Sequence, residues 1–344
     1  MHALLWLLAL SFPHPGSSAE PGYRVIDFDW VDGTRARAVP ARLYWPASAT
    51  PAAPVPLVLF SHGIGGSREG YSYLGTHWSS HGVASLHVQH TGSDAALWRG
   101  NPFGVIGRLQ DAAHESEAIA RAEDMRFALD RILSARTGSH AAAVDRRRIV
   151  AAGHSYGANT TLLTIGAQVT REGRTIQFLD PRIAAAVVIS APPFYGETNL
   201  AAVMRAVSIP TIHITSTGDE IEIPGYRSGV EDRLAIFDAI ADPRKLLAVF
   251  DGGSHSMFTD RAYTGGPSLN AQVKRATADL TMAFFDSVFA ADHAALAQWQ
   301  RTWQSILAQP PLAPPTSGAG TTGAHTPTPL PGHPLPVPRW SSAR

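Results

Sequence analysis

The chain has no cysteine among its 344 residues. That excludes a disulfide scaffold, a cysteine-ligated zinc or iron–sulfur site, and a cysteine nucleophile. Neither charge is in excess: 28 Lys and Arg stand against 28 Asp and Glu. With no positive surplus to neutralise phosphates, a nucleic-acid partner is not expected. No apolar run is long enough to cross a membrane. Ala3 to Phe12 is almost wholly apolar but holds ten residues, and a spanning helix needs about 20. The metal signature H-E-x-x-H is absent, since His114-Glu115-Ser116-Glu117 lacks its second histidine. There is no nucleotide fingerprint either, so neither a metal nor a cofactor is implied.

What is there is a core-forming composition with two unusual ends. Apolar residues make up 44% and charged residues 16% of the chain, enough to bury a core and too apolar for wholesale disorder. Pro13 stops the first apolar run, and Ser17-Ser18-Ala19 follows. This pattern predicts a secretory signal over residues 1–19, cleaved after Ala19, and a secreted or periplasmic protein. Residues 310–344 hold ten of the 26 prolines, which predicts a Pro/Thr-rich disordered tail. Residues 20–309 remain, a span that suits one large domain.

That body alternates short apolar runs with longer helical patterns, the signature of βα units and a mostly parallel sheet. Arg24 to Val31 and Arg37 to Trp45 flank Asp32-Gly33 and predict an antiparallel pair. Buried strands are expected at Val55 to Phe60, Gly82 to Val88, Arg148 to Ala152, Ile183 to Ser190, Pro210 to Thr215 and Lys245 to Phe250. Helices are expected at Asp111 to Leu133, Ala158 to Gln168, Val230 to Ile240, Asn270 to Phe289 and His293 to Leu307.

The strongest chemical signal is Gly153-His154-Ser155-Tyr156-Gly157, a G-x-S-x-G sequence between a predicted strand and a predicted helix. A strand that turns sharply into a helix holds its serine in a strained conformation. Side chains two residues to either side would collide, hence the glycines. The turn lifts the hydroxyl out of the sheet beside a helix N-terminus. At these residues the chain resembles the α/β-hydrolase superfamily, and within it bacterial dienelactone-hydrolase-like and platelet-activating-factor acetylhydrolase-like serine esterases. Ser61-His62-Gly63-Ile64-Gly65, His90-Thr91-Gly92-Ser93 and Arg121-Ala122-Glu123-Asp124-Met125 carry the same resemblance. It implies a mostly parallel central sheet with helices on both faces. The chain departs from dienelactone hydrolases in lacking cysteine. It departs from the acetylhydrolases in ending the strand after the nucleophile with Ser190-Ala191-Pro192-Pro193, without a carboxylate.

In this fold the base and acid follow the serine in the order Ser, acid, His. His255, in Gly252-Gly253-Ser254-His255, is the candidate base, and Asp219, in Thr217-Gly218-Asp219-Glu220, the candidate acid. Each lies just past a predicted strand, at the sheet edge where such folds bind ligands. Glu220, Glu222, Asp238 and Asp251 compete for the acid role; only Asp219 pairs a strand end with a preceding glycine that permits the turn. An oxyanion needs donors already in place. The residue after the nucleophile supplies one N–H, here Tyr156, and the resemblance implies Ile64 for the other. His62 and His154 are read as shaping their loops. Trp98, Phe103, Ile221, Met257 and Phe258 are candidates for an apolar substrate pocket.

These readings predict a serine hydrolase of carboxylic esters, acting on a small or polymeric ester through an acyl-enzyme. A lipase- or cutinase-like polyester hydrolase, a peptidase, and a non-catalytic binding protein on the same fold are the alternatives.

Overall fold

The computed structural model describes residues 22–308, apart from 172, 224 and 225. The expected signal peptide and Pro/Thr-rich tail lie outside these residues. The fold is built on an eight-stranded sheet: β1 (Tyr23–Asp32), β2 (Arg37–Pro46), β3 (Val55–Ser61), β4 (Ala84–Val88), β5 (Val144–His154), β6 (Ala185–Ile189), β7 (Thr211–Ser216) and β8 (Lys245–Phe250). Their spatial order is β1-β2-β4-β3-β5-β6-β7-β8. β2 runs antiparallel to β1 and to β4, and every other pairing is parallel.

The parallel strands read as nearly continuous apolar runs because both faces are covered. Alternate residues of one strand enter different cores. Leu57 and Leu59 pack on one face, Val58 and Phe60 on the other; Ile149 and Ala151 divide from Val150 and Ala152 in the same way. Helices α1 (Ser72–Ser80), α2 (Val105–Ala112), α3 (Glu115–Ile132), α4 (Tyr156–Thr164), α5 (Val230–Ala239), α6 (Pro267–Phe289) and α7 (Ala294–Trp303) connect and flank the strands. Met125, Leu129 and Ile132 of α3 pack on one face of the sheet, and Val273, Leu280 and Phe284 of α6 on the other.

Two expected helices differ. The one predicted from Asp111 to Leu133 is broken: α2 ends at Ala112, and α3 starts afresh at Glu115. His114 causes the restart. Its backbone is extended, its side chain accepts from the Ser116 N–H, and Glu115 and Glu117 follow in the first turn, where the helix dipole favours negative charge. The helix predicted to reach Gln168 stops at Thr164. Gly166 takes φ +122, which ends the helical path. Gln168–Arg171 then pairs with Arg174–Gln177 in a small hairpin that sequence pattern did not reveal.

Candidate active site

The turn from β5 into α4 sets the geometry. Ser155 has φ 56° and ψ −125°, a conformation costly for any residue with a side chain. A Cβ on Gly153 would overlap the backbone of Gly157, and one on Gly157 would overlap the Ser61 carbonyl. Both glycines are therefore steric necessities. The Ser155 N–H donates to the Ile189 carbonyl at 2.9 Å, which pins the elbow to β6. The residue is nearly buried, at 7% exposed.

Two further strand ends converge on it. His255 starts a short turn after β8, and its Nε2 lies 2.8 Å from Ser155 Oγ. Its Nδ1 lies 2.7 Å from Asp219 Oδ1. Asp219 follows β7; its Oδ2 accepts from Thr215 Oγ1 at 2.6 Å, and Arg233 Nη2 of α5 stands 3.4 Å from Oδ1. Burial alone would push the Asp219 carboxyl up. The His255 hydrogen bond and the Arg233 guanidinium outweigh it and hold the group below the ordinary carboxylate range. An ionised carboxylate can only accept, so His255 carries its proton on Nδ1. Nε2 is left to accept from the serine hydroxyl.

The competing carboxylates sit elsewhere. Glu220 pairs with Arg227 at 2.6 Å on the surface, and Glu222 and Asp238 are exposed. Asp251, also exposed, accepts from Thr217 Oγ1 at 3.3 Å. Of the five, Asp219 is the one hydrogen-bonded to His255. Gly218 permits its position: a Cβ there would come within 2.6 Å of the Gly253 carbonyl, so the acid loop and histidine loop lie in contact.

The loop after β3 lies against Ser155. A Cβ on Gly63 would be 3.3 Å from Ser155 Cβ. Its peptides are held at several points. His62 Nδ1–H donates to the Gly63 carbonyl at 2.7 Å, and the Gly66 N–H reaches the same oxygen at 3.0 Å. In a trans peptide the N–H points opposite to the C=O, so these bonds fix the direction of the Ile64 N–H. His62 Nε2 accepts from the His90 N–H at 3.1 Å. Burial, reinforced by Arg121, keeps that imidazole neutral, well below the usual histidine range. The Tyr156 N–H heads α4, where the first amides lack helical partners.

Sequence reasoning missed what stands behind this loop. Arg121 of α3 is fully buried. It donates to the His62 carbonyl, to Ser61 Oγ at 3.1 Å, to Ser93 Oγ at 2.8 Å and to Thr160 Oγ1 at 3.0 Å. Its guanidinium lies 4.5 Å from the Tyr156 ring centroid, and burial lowers its pKa to about 10. His90 bridges Ser61 Oγ at 2.9 Å and Asp124 Oδ2 at 3.0 Å, and Asp124 is in turn gripped by Arg35 and Arg37. The only sequence signal was the pair of motifs containing His90, Arg121 and Asp124.

The pocket candidates are not brought together. Trp98 is 50% exposed; its Nε1 donates to the Gly65 carbonyl at 2.8 Å, and its ring covers Gly65. Phe103 is 95% exposed. Ile221 is half-buried in a hairpin with Tyr226–Ser228. Met257 and Phe258 are wholly buried in the core, because the turn after His255 directs them inward. Trp98 thus borders the loop after β3, whereas Met257 and Phe258 form no open wall.

A solved structure agrees with this architecture. A ferulic acid esterase from Streptomyces cinnamoneus superposes with a TM-score of 0.57 at 21% identity, covering 80% of this chain and 93% of that one. The chain has the α/β-hydrolase fold. A cold-adapted esterase from an Arctic intertidal metagenomic library, in complex with polyethylene glycol, gives a TM-score of 0.49 at 17% identity, covering 75% of this chain and 96% of that one. A family model described as platelet-activating factor acetylhydrolase, isoform II, matches residues 33–99. That stretch includes β2, β3, the loop through Ile64 and β4. A platelet-activating factor acetylhydrolase of Cavia porcellus is 27% identical over 154 residues. The match covers 37% of this chain and 35% of that protein, so the chain spans about a third of the length of this relative. Among the described residues no helix is long and apolar enough to cross a membrane.

Proposed function

We propose that this protein is a serine hydrolase of carboxylic esters. The observation that carries the reading is the unbroken chain Ser155 Oγ, His255, Asp219, with contacts of 2.8 and 2.7 Å. Ser155 attacks the ester carbonyl while His255 takes its proton at Nε2. Asp219 holds the imidazole in the required tautomer and stabilises its charge. The Ile64 and Tyr156 amides receive the oxyanion. His255 returns the proton to the leaving alcohol, and water hydrolyses the acyl-enzyme by the same steps. The names of the similar proteins support an acetyl or aromatic acyl group. Trp98, half exposed beside the loop after β3, favours an open site that also admits a large or polymeric ester. Residues 1–19 act, in this reading, as an export signal cleaved after Ala19, and N-terminal sequencing of exported protein tests it.

The test of the activity is a panel: p-nitrophenyl esters of graded chain length, methyl ferulate, a polyester film and an amide. Wild type turns over esters, and folded Ser155→Ala retains almost nothing. Activity surviving in that variant, or turnover of the amide alone, refutes the reading.

A further inference from the structure

Two buried titratable side chains beside the site take no part in the proposed chemistry: Tyr71, at the residue before α1, and His154, inside the elbow. Both are almost fully buried, and together they join three loops. The Gly63 N–H, on the oxyanion loop, lies 3.2 Å from the Tyr71 hydroxyl oxygen. That hydroxyl lies 2.8 Å from His154 Nδ1. His154 Nε2 lies 3.0 Å from the backbone carbonyl of His255.

One proton order satisfies every contact. A carbonyl only accepts, so His154 Nε2 carries the proton. Nδ1 of the neutral ring is then an acceptor, and the Tyr71 O–H donates to it. The Tyr71 oxygen in turn accepts the Gly63 N–H. Burial, together with the nearby His255, drives His154 down to about 3, so the neutral ring persists wherever the enzyme works. Burial likewise raises Tyr71 well above the ordinary phenol range, so it keeps its O–H.

The two ends of the bridge are the places where position matters. At one end, the His62–Gly63 peptide has its carbonyl on Arg121 and its N–H on Tyr71, just ahead of the Ile64 amide. At the other, the His255 carbonyl is the backbone from which the imidazole hangs. The rings of His154 and His255 lie 4.7 Å apart, centroid to centroid. Tyr71 itself has φ 59°, an uncommon backbone for a bulky aromatic, which the surrounding packing sustains.

We propose that Tyr71 and His154 are positioning residues that lock the oxyanion loop and the His255 loop to one another across the nucleophile elbow. The inference rests on the proposed roles of Ser155, His255 and Ile64. Binding of substrate needs neither end of the bridge, whereas the transition state needs both the amide and the imidazole in register. Loss of the bridge therefore lowers kcat and leaves KM nearly unchanged.

The experiment compares His154→Phe, His154→Gln, Tyr71→Phe and the double Tyr71→Phe/His154→Phe, with Ser155→Ala as reference. The readouts are kcat and KM on p-nitrophenyl acetate, the rate of fluorophosphonate labelling, and thermal unfolding. The glutamine amide can reproduce both contacts of the neutral ring, its NH₂ donating to the His255 carbonyl and its oxygen accepting from Tyr71, so His154→Gln is expected within about 3-fold of wild type. His154→Phe is expected to lose about 10- to 100-fold in kcat and in labelling rate, with KM changed less than about 3-fold. Tyr71→Phe, which removes one oxygen, is expected to lose about 5-fold or more. The double variant should be no worse than His154→Phe, since both act through one bridge. If His154→Phe does not fold, Tyr71→Phe decides. The proposal is overturned by a normal kcat in folded His154→Phe or Tyr71→Phe, by a Gln variant as impaired as Phe, or by an effect on KM alone. An active Ser155→Ala would instead refute the underlying catalytic reading.

Discussion

Asp219 is where residue-level chemistry is most exposed to test. Its carboxylate is buried and still ionised, because the His255 hydrogen bond and Arg233 outweigh the cost of burial. Asp219→Asn keeps the volume but presents an amide, which favours the wrong imidazole tautomer. A fall in kcat of about 10⁴ is expected, the size known for this substitution in a serine triad. Glu220→Gln, Glu222→Gln, Asp238→Asn and Asp251→Asn should each stay within a few-fold of wild type, as their side chains lie on the surface. A near-normal Asp219→Asn beside a collapse at one of the four would refute the assignment. Asp219 stays charged far below neutrality, so activity lost on mild acidification does not report protonation of the acid. Residue choice at this position was legible in sequence because a strand end and a glycine mark it. The partners of His154 and Arg121 were not. Tyr71 is 83 residues from His154, and the His62 carbonyl is 59 residues from Arg121. Such contacts leave no local pattern.

Among elements, the strand–elbow–helix unit β5–α4 concentrates the strain. Gly157 shows why the motif ends in glycine: a methyl there meets the carbonyls of Ser61 and His62, the backbone that leads into the loop after β3. Gly157→Ala is expected to destabilise the fold by about 1–3 kcal/mol, the range for overpacking, and to lower kcat by displacing that loop. Calorimetry and ester turnover on the same sample check both effects, and an Ala variant with wild-type stability and rate contradicts the steric account. The strands were legible because parallel strands covered on both faces spell out apolar runs; the one at Lys245–Phe250 ends where expected. Helix ends were harder. The break between Ala112 and Glu115 depends on a histidine acting as a cap, a role for which histidine is no strong signal. The Gln168–Gln177 hairpin has the polarity of an ordinary loop.

The whole molecule carries an acid weakness spread across several of these elements. His87, His154 and His213 are buried, which lowers each to about 3, and His62 and His90 are also held well below the usual range, mainly by burial. In the unfolded chain a histidine titrates near pH 6.5. Between those values the unfolded state binds more protons, so stability falls as pH falls. The contribution is complete above about pH 6.5 and declines toward about pH 3, each group adding up to about 1.4 kcal/mol per pH unit. A loss of several kcal/mol between about pH 7 and pH 5 is therefore expected as a marked drop in Tm. Carboxylates held low, such as Asp219, act only at lower pH. A Tm that stays constant from about pH 7 to pH 5 would contradict this picture.

Mapping the site of fluorophosphonate attachment by mass spectrometry tests the central claim most directly. The reagent needs a serine activated by its neighbours, the role proposed for Ser155 from its contacts with His255 and, through it, Asp219. One adduct is predicted, on Ser155, formed quickly in wild type and hardly at all in folded His255→Ala. An adduct on another residue, or an active enzyme that takes none, would contradict the account.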